Sequence, residues 1–422
     1  MSGKWLYLPI EVAKRETDAK LLLAYYALKE KYNVVIGDQY EIIKNVGNFP
    51  KGIFLSKGHT RNNFHFAFNV KAAGHIVVEL DEEALFLNKA PYIKNRTDEK
   101  LFSIMEQIYC WGKFQRDTLL NEYPHFREKI YLTGHPRFDL LKKKFNRLYW
   151  EDAEKIKKQF GNFILVNTRF SMYNTQNGFN ENNKELKSLY ESFIIMVKIL
   201  SKKFPNHNIV VRPHPTENSE SYKSELKNLK NVYVISHGSV VKWIIASKLI
   251  IHNGCTTGIE AFLLGHPVIS YMPVKSEKID EFLPNEVSFK IDNIEDLNSF
   301  VDVILTKKRF DRFEYIKKMN EKKNVLFQYY ETFNENYAYQ NILNLLGKIN
   351  INSPVLPHST LNTFYQNLNK ASKIIISREK LDSEIKESEI NNLFFKLNEI
   401  ENTKNSIIIQ NYNRHIFVIR PK

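Results

Sequence analysis

Short β-branched runs closed by turn residues alternate with longer segments of helical period through most of this chain, and that alternation is the signature of a parallel α/β architecture. The first series of such runs is Asn33 to Ile36, Gly52 to Leu55, His75 to Leu80, Gln107 to Trp111 and Lys129 to Thr133. Between them lie helical stretches such as Glu16 to Lys31, with Leu21, Leu22, Tyr25 and Leu28 on one face. After the polar stretch Lys142 to Gln159 the pattern restarts with Asn162 to Asn167 and a long helix around Leu186 to Lys203. It continues through Asn208 to Arg212, Val232 to Ile235, Leu249 to His252 and Pro267 to Tyr271. Two Rossmann-like domains are therefore expected, 1–159 and 160–335, with ligands in a cleft at the carboxyl ends of their strands. Residues 336–422 break the pattern and read as an appended α+β extension, with strand-like runs at Ile374 to Ile376 and Ser406 to Ile409.

Composition narrows the partners. Lys and Arg number 61 against 47 Asp and Glu, and the net charge of +14 favours anionic ligands or an anionic membrane surface. The basic residues are scattered and carry no nucleic-acid-binding pattern, so nucleic acid is not expected. Cys110 and Cys255 form neither a disulfide framework nor a metal-ligand spacing, and no metal or other cofactor is expected. Val240 to Ile251, a greasy stretch, is broken by Lys242 and Lys248, short of the roughly 18 to 20 apolar residues a spanning helix needs. Met1 to Ile10 lacks the apolar core of a secretory signal. A cytoplasmic location is expected, with peripheral attachment to the inner face of the membrane.

Three segments concentrate chemistry. Ile209 to Glu217 is an apolar strand ending in Arg212, Pro213, His214 and Pro215; the prolines stop the strand and present guanidinium and imidazole at its carboxyl edge. Both groups suit a phosphate. Leu249 to Ser270 runs strand, loop, helix, strand, and its loop Asn253, Gly254, Cys255, Thr256, Thr257, Gly258 enters a helix where N–H groups and hydroxyls can receive a phosphate. The loop lacks the lysine of a Walker motif, and Glu260 stands in the first turns, able to accept from ribose hydroxyls or simply to complement the helix dipole. His75 to Glu83 is a strand ending in Asp81, Glu82 and Glu83, candidates for a base or nucleophile, or for an acidic helix start. Weaker candidates for contact with the donor carboxylate or the acceptor are Lys57, His59 and Arg61 after one strand, and His135, Arg137 and Arg169 at two others. For these, turn formation or packing explains the residues equally well.

The Arg-Pro-His-Pro strand end, the Thr-rich loop before a Glu-Ala-Phe helix and the Asp-Glu-Glu strand end resemble cytidine-nucleotide-dependent glycosyltransferases of the GT-B fold. Trp111-Gly112, Gly134 to Leu141 and Asn167 to Phe170 are similar to the bacterial surface carbohydrate biosynthesis proteins related to β-Kdo transferases. The resemblance covers roughly residues 1–340. It implies a catalytic acid among Asp81, Glu82 and Glu83, with Ala84 where the related motif has glycine. It also implies CMP binding by Arg212, His214, Pro215, Asn253, Gly254, Thr256, Thr257 and Glu260. The implied activity is transfer of a 3-deoxy-2-ulosonic acid, foremost Kdo, from its CMP donor to a sugar hydroxyl of a capsule or lipopolysaccharide precursor; the resemblance tilts towards retention, with inversion open. A CDP-glycerol glycerophosphotransferase of teichoic-acid type, and a non-catalytic glycan- or membrane-binding scaffold, are the alternatives.

Overall fold

The structure, a computed structural model, describes residues 3–58, 64–84, 89–276, 279, 281–306, 322, 324–331, 336–351 and 384–422. It divides into two compact units, Met1–Leu140 with Phe327–Lys422, and Leu141–Leu326. The division therefore falls at 140/141 and 326/327 rather than at 159/160 and 335/336.

The first unit opens with six parallel strands: β1 (Trp5–Ile10), β2 (Asn33–Asp38), β3 (Ile53–Ser56), β4 (Ile76–Leu80), β5 (Gln107–Cys110) and β6 (Ile130–Leu132). Their order is β2-β1-β3-β4-β5-β6, with Tyr7 in register with Val35 on one side and Phe54 on the other. Strand direction of winding reverses between β1 and β3, so the carboxyl ends of those two strands form the natural crevice of this sheet. Both faces are covered, and Tyr7, Val35, Phe54, Val77 and Ile108 sit in one apolar core. The helix Ala13–Lys29 buries leucines as its period requires, but it also buries Glu16 and Lys20, one turn apart and both pulled under the carboxyl edge.

The second unit contains β7 (Phe163–Asn167), the small hairpin β8 (Asn174–Thr175) and β9 (Gly178–Phe179), β10 (Asn208–Arg212), β11 (Val232–Val234), β12 (Leu249–His252), β13 (Val268–Tyr271) and β14 (Phe289–Ile291). The sheet order is β11-β10-β7-β12-β13-β14, all parallel, and winding reverses between β7 and β12. One face packs on the helix Lys184–Lys203 through Phe193, Val197 and Leu200 against Ile164, Val166 and Ile251.

Residues 384–422 return to the first unit instead of forming a separate module. β15 (Ile407–Asn413) and β16 (Ile416–Pro421) make a hairpin, and β16 lies antiparallel on β2, with Phe417 opposite Ile36 and Val418 opposite Val35. Without it β2 would present a bare apolar edge. The helix Glu387–Glu401 docks on Ala13–Lys29, where Tyr25 donates to Asn398 (2.9 Å) and Tyr26 to Glu401 (2.6 Å). The helix Ala338–Gly347 is capped by Asp139, whose carboxylate accepts from the backbone of Ala338 and Tyr339, both at 3.0 Å. Among the described residues no helix is long and apolar enough to cross a membrane. The run Ile374 to Ile376 lies outside the described residues.

Candidate functional site

The acids of the first unit do not form a helix start: Asp81 ends its strand's extension, Glu82 and Glu83 form a turn, and the Asp81 carboxylate accepts from the Glu83 backbone (2.8 Å). Gly58, at φ +90°, makes room for this, because a Cβ there would stand 2.6 Å from Asp81 Oδ1. Asp81 is 2% exposed and held by a fork from Arg96, while Trp111 donates its indole N–H to the Asp81 carbonyl at 2.6 Å. Glu82, 3% exposed, lies between Lys20 (2.8 Å) and His135 Nε2 (3.1 Å). Burial pushes the Glu82 carboxyl up, but Lys20 and His135 outweigh it and hold the group well below the usual carboxylate range. Two of the three candidate acids, Asp81 and Glu82, are thus buried in ion pairs. Glu83 differs. Its side chain is 51% exposed between Arg15 (2.7 Å) and Arg96 (3.1 Å). Burial of its carboxyl raises the pKa, and the two guanidinium groups bring it below its ordinary value.

The weaker candidates fall into the same network. Lys57 is buried against Glu11 and Glu16. His135 is buried, its Nδ1 accepting from the Arg137 backbone (3.1 Å) and its Nε2 standing 3.1 Å from the Glu82 carboxylate. Neither presents a group to a ligand. Arg137 is half-buried beside them; His59 and Arg61 lie outside the described residues.

The second unit is built differently. Asn167, Arg212 and His252 end three adjacent strands in register. Arg212 is 6% exposed and spends its Nη atoms on the carbonyls of Ile235 (3.4 Å), His237 (3.0 Å) and Gly238 (2.9 Å), with its guanidinium over the Trp243 ring at 5.1 Å. Burial lowers its pKa to about 10. In place of the expected fork towards a phosphate, the guanidinium is turned to the 235–238 turn, which it fastens. The His214 ring is half-exposed, and its Nδ1 lies 2.8 Å from Thr216 Oγ1 and accepts from the Thr216 backbone at 3.3 Å. Pro215 beside it is exposed, and the strand has already ended at Arg212, before Pro213.

His252 shapes the loop that follows it. Its Nδ1 accepts from Gly254 (3.0 Å) and Cys255 (3.2 Å), and its Nε2 donates to Ser288 Oγ at 2.8 Å. Burial and the nearby Arg169 charge push its pKa down to about 3, so the ring is neutral and the tautomer fixed. Gly258 must be glycine because a Cβ would lie 2.4 Å from His252 Nε2. The helix that begins here, Thr257–Leu263, carries Glu260 buried in its first turn, with Thr256 exposed before it.

Polar atoms at the end of β7 and just beyond β12 lack protein partners. Asn253 donates Nδ2 to the Arg169 carbonyl (3.3 Å), which fixes its amide, and its Oδ1 is buried without a partner; Asn167 Oδ1 and Arg169 Nε are in the same state. Arg169 turns its Nη1 to Glu281 (2.8 Å) and its Nη2 to the Ile279 carbonyl (3.1 Å). Glu217, 3% exposed, gathers the edge together by accepting from Thr168 Oγ1 (3.0 Å), the Phe170 backbone (2.8 Å), the His214 backbone (3.2 Å) and the Tyr222 hydroxyl. Sequence reasoning placed Asn167 at a strand end but missed His252, Glu217 and Glu281 as parts of the site. Only Glu217 left a trace, as a carboxylate three residues past the histidine.

A family described as "Protein of unknown function (DUF354)" matches residues 181–334, within which His214 and the Asn253–Glu260 segment lie. No curated protein matches the chain. Among solved structures, the UDP-GlcNAc 2-epimerase of Neisseria meningitidis bound to UDP-GlcNAc is similar at 15% identity and TM-score 0.55, over 82% of this chain and 100% of that one. The Methanocaldococcus jannaschii UDP-GlcNAc 2-epimerase in complex with UDP-GlcNAc and UDP aligns at 16% identity and TM-score 0.50, over 81% and 99%. A variant of the wall teichoic acid polymerase TagF aligns at 11% identity and TM-score 0.53, over 87% and 90%. At such identities the likeness is one of fold, and the fold is GT-B, two Rossmann-like units in one chain.

Proposed function

We propose that the protein is a nucleotide-dependent transferase whose second unit binds a cytidylate-activated donor at the carboxyl ends of β7, β10 and β12. The observation that carries this reading is the set of buried, unpartnered polar atoms there: the Oδ1 atoms of Asn167 and Asn253 need donors, and Arg169 Nε needs an acceptor. Burying such groups without partners costs about 1–3 kcal/mol each, which a ligand bearing hydroxyls and a phosphate removes. A nucleotide supplies both. His214 Nε2 and the Thr256 hydroxyl take the phosphate in this reading, and Glu260 the ribose.

The donor we assign is a CMP-activated 3-deoxy-2-ulosonic acid, foremost Kdo, on the strength of the Arg-Pro-His-Pro, Thr-Thr and Gly-His-Pro-Arg-Phe-Asp motifs. In transfer, the C2–O bond to the phosphate breaks and its electron pair leaves on CMP. The donor groups at the strand ends stabilise that charge, and the acceptor oxygen bonds to C2. Of the three expected acids, Glu83 has the exposed side chain and is the one we assign to the acceptor's proton in an inverting reaction, or to attack on C2 in a retaining one. No metal is assigned to the step, and the acceptor is a glycan or lipid-linked glycan reached at an anionic membrane face. A CDP-glycerol donor is the second reading, favoured by the likeness to the teichoic acid polymerase.

Calorimetric titration with CMP, CDP-glycerol and UDP-GlcNAc, together with CMP release from CMP-Kdo in EDTA, tests this. Binding of CMP and turnover of CMP-Kdo is the expected result. Turnover of CDP-glycerol alone would shift the donor, and binding of UDP-GlcNAc without CMP would overturn the cytidylate reading.

A further inference from the structure

Glu217 has no place in the chemistry above, yet it is a nearly sealed carboxylate whose favourable contacts are hydrogen bonds: burial pushes its pKa up, and the bonds from Tyr222, Phe170, Thr168 and His214 oppose that rise. Sealing a carboxylate is costly unless the hydrogen bonds do something the fold needs. They join separate strand ends. Oε1 accepts from the backbone of Phe170, next to Arg169 after β7, and from the backbone of His214 after β10. Oε2 takes the hydroxyls of Thr168 and Tyr222. The Glu217 carbonyl also accepts from Gln176 (2.7 Å), tying the β8–β9 hairpin to the same point.

We propose that Glu217 is a positioning residue that sets His214 against the segment carrying Arg169, so that both address one anionic group of the donor. This rests on the nucleotide reading of the second unit. The geometry makes a specific demand on variants. In Glu217→Gln the amide oxygen can keep both backbone N–H groups, while the amide NH2 donates to Thr168 and Tyr222, whose hydroxyls rotate to accept. In Glu217→Met the size is kept and both backbone donors lose their acceptor.

The test is CMP affinity of the full chain by calorimetry, with urea unfolding in parallel. Glu217→Met is expected to weaken CMP about 10-fold or more, the effect of one to two lost hydrogen bonds, and Glu217→Gln to stay within about 3-fold of wild type. Because part of the effect acts through His214, adding Glu217→Met to His214→Ala should cost clearly less than Glu217→Met costs in the wild-type chain, a coupling that a purely structural residue would not give. Should Glu217→Met fail to fold, Glu217→Asp, one carbon shorter, takes its place, with a smaller loss and the same coupling. Equal losses in the Met and Gln variants, additivity with His214→Ala, or wild-type affinity in Glu217→Met would each overturn the proposal alone. If the wild-type chain binds none of CMP, CDP-glycerol or UDP-GlcNAc, the nucleotide reading itself falls and takes the proposal with it.

Discussion

At the carboxyl edge of the β1–β6 sheet, Glu16, Asp81, Glu82 and Glu83 are answered by Arg15, Lys20, Lys57 and Arg96, charge against charge. At the carboxyl edge of the β7–β14 sheet, Asn167, Arg169 and Asn253 keep buried polar atoms with no partner, and the sealed Glu217 and Arg212 are satisfied by hydrogen bonds to hydroxyls and backbone. Both edges lie where an α/β sheet reverses its winding, the usual ligand position. An edge held by opposite charges should reveal itself when stability is measured, and one that leaves amide oxygens orphaned when binding is measured.

The sharpest break of that contrast is Glu82→Ala, which strands Lys20 in the first unit; it should cost about 3–5 kcal/mol in urea unfolding. A loss under about 1 kcal/mol would mean that the pair is not the fastening it looks to be. Glu83→Gln should act the other way, leaving unfolding and CMP affinity alone while turnover of CMP-Kdo drops about 100-fold, the scale of a lost general base. Normal turnover would make Glu83 only a surface partner of Arg15 and Arg96.

In the second unit His214→Ala should weaken CMP by about 1–3 kcal/mol, with little change in unfolding because the ring is half-exposed. Unchanged affinity would remove the histidine from the phosphate site. The smallest effect is one of pH. His252 stays neutral in the fold down to about 3, whereas in the unfolded chain it takes up a proton near its ordinary value of about 6.5. Stability from this residue is full above about 6.5 and is lost as pH falls towards about 3; between pH 7 and 6 the loss is about 0.7 kcal/mol. His252→Asn should flatten that slope, and an unchanged slope would mean that other groups set it.

What could be seen in the sequence follows from range. β7, β10, β12 and β13 announce themselves as β-branched runs, and the two prolines around His214 place it at a strand end whatever the rest of the chain does. The ionic network is of another kind. Lys20 and Glu16 occur in a helix pattern that usually faces water, and their partners Glu82 and Lys57 come from strand ends far along the chain. Arg212 shows the same limit: an arginine at a strand end suits a phosphate and suits three carbonyls equally, and only the turn at 235–238 decides. The pairing of β16 with β2 joins segments hundreds of residues apart, with no local pattern to betray it.

That pairing bears on the order in which the protein can be made. The second unit is one unbroken stretch of chain, Leu141–Leu326, placed inside a first unit whose outer strands arrive only afterwards. A ribosome delivers β2 early and β16 late, so the apolar edge of β2 and the unfilled seat for the helix Glu387–Glu401 must wait through the synthesis of the entire inserted unit. Nascent chains halted once residue 326 has cleared the ribosome should accordingly hold a protease-resistant inner unit beside a protease-sensitive outer one. Holdase chaperones that shield strand edges would then matter for this protein during translation, and far less once it is released.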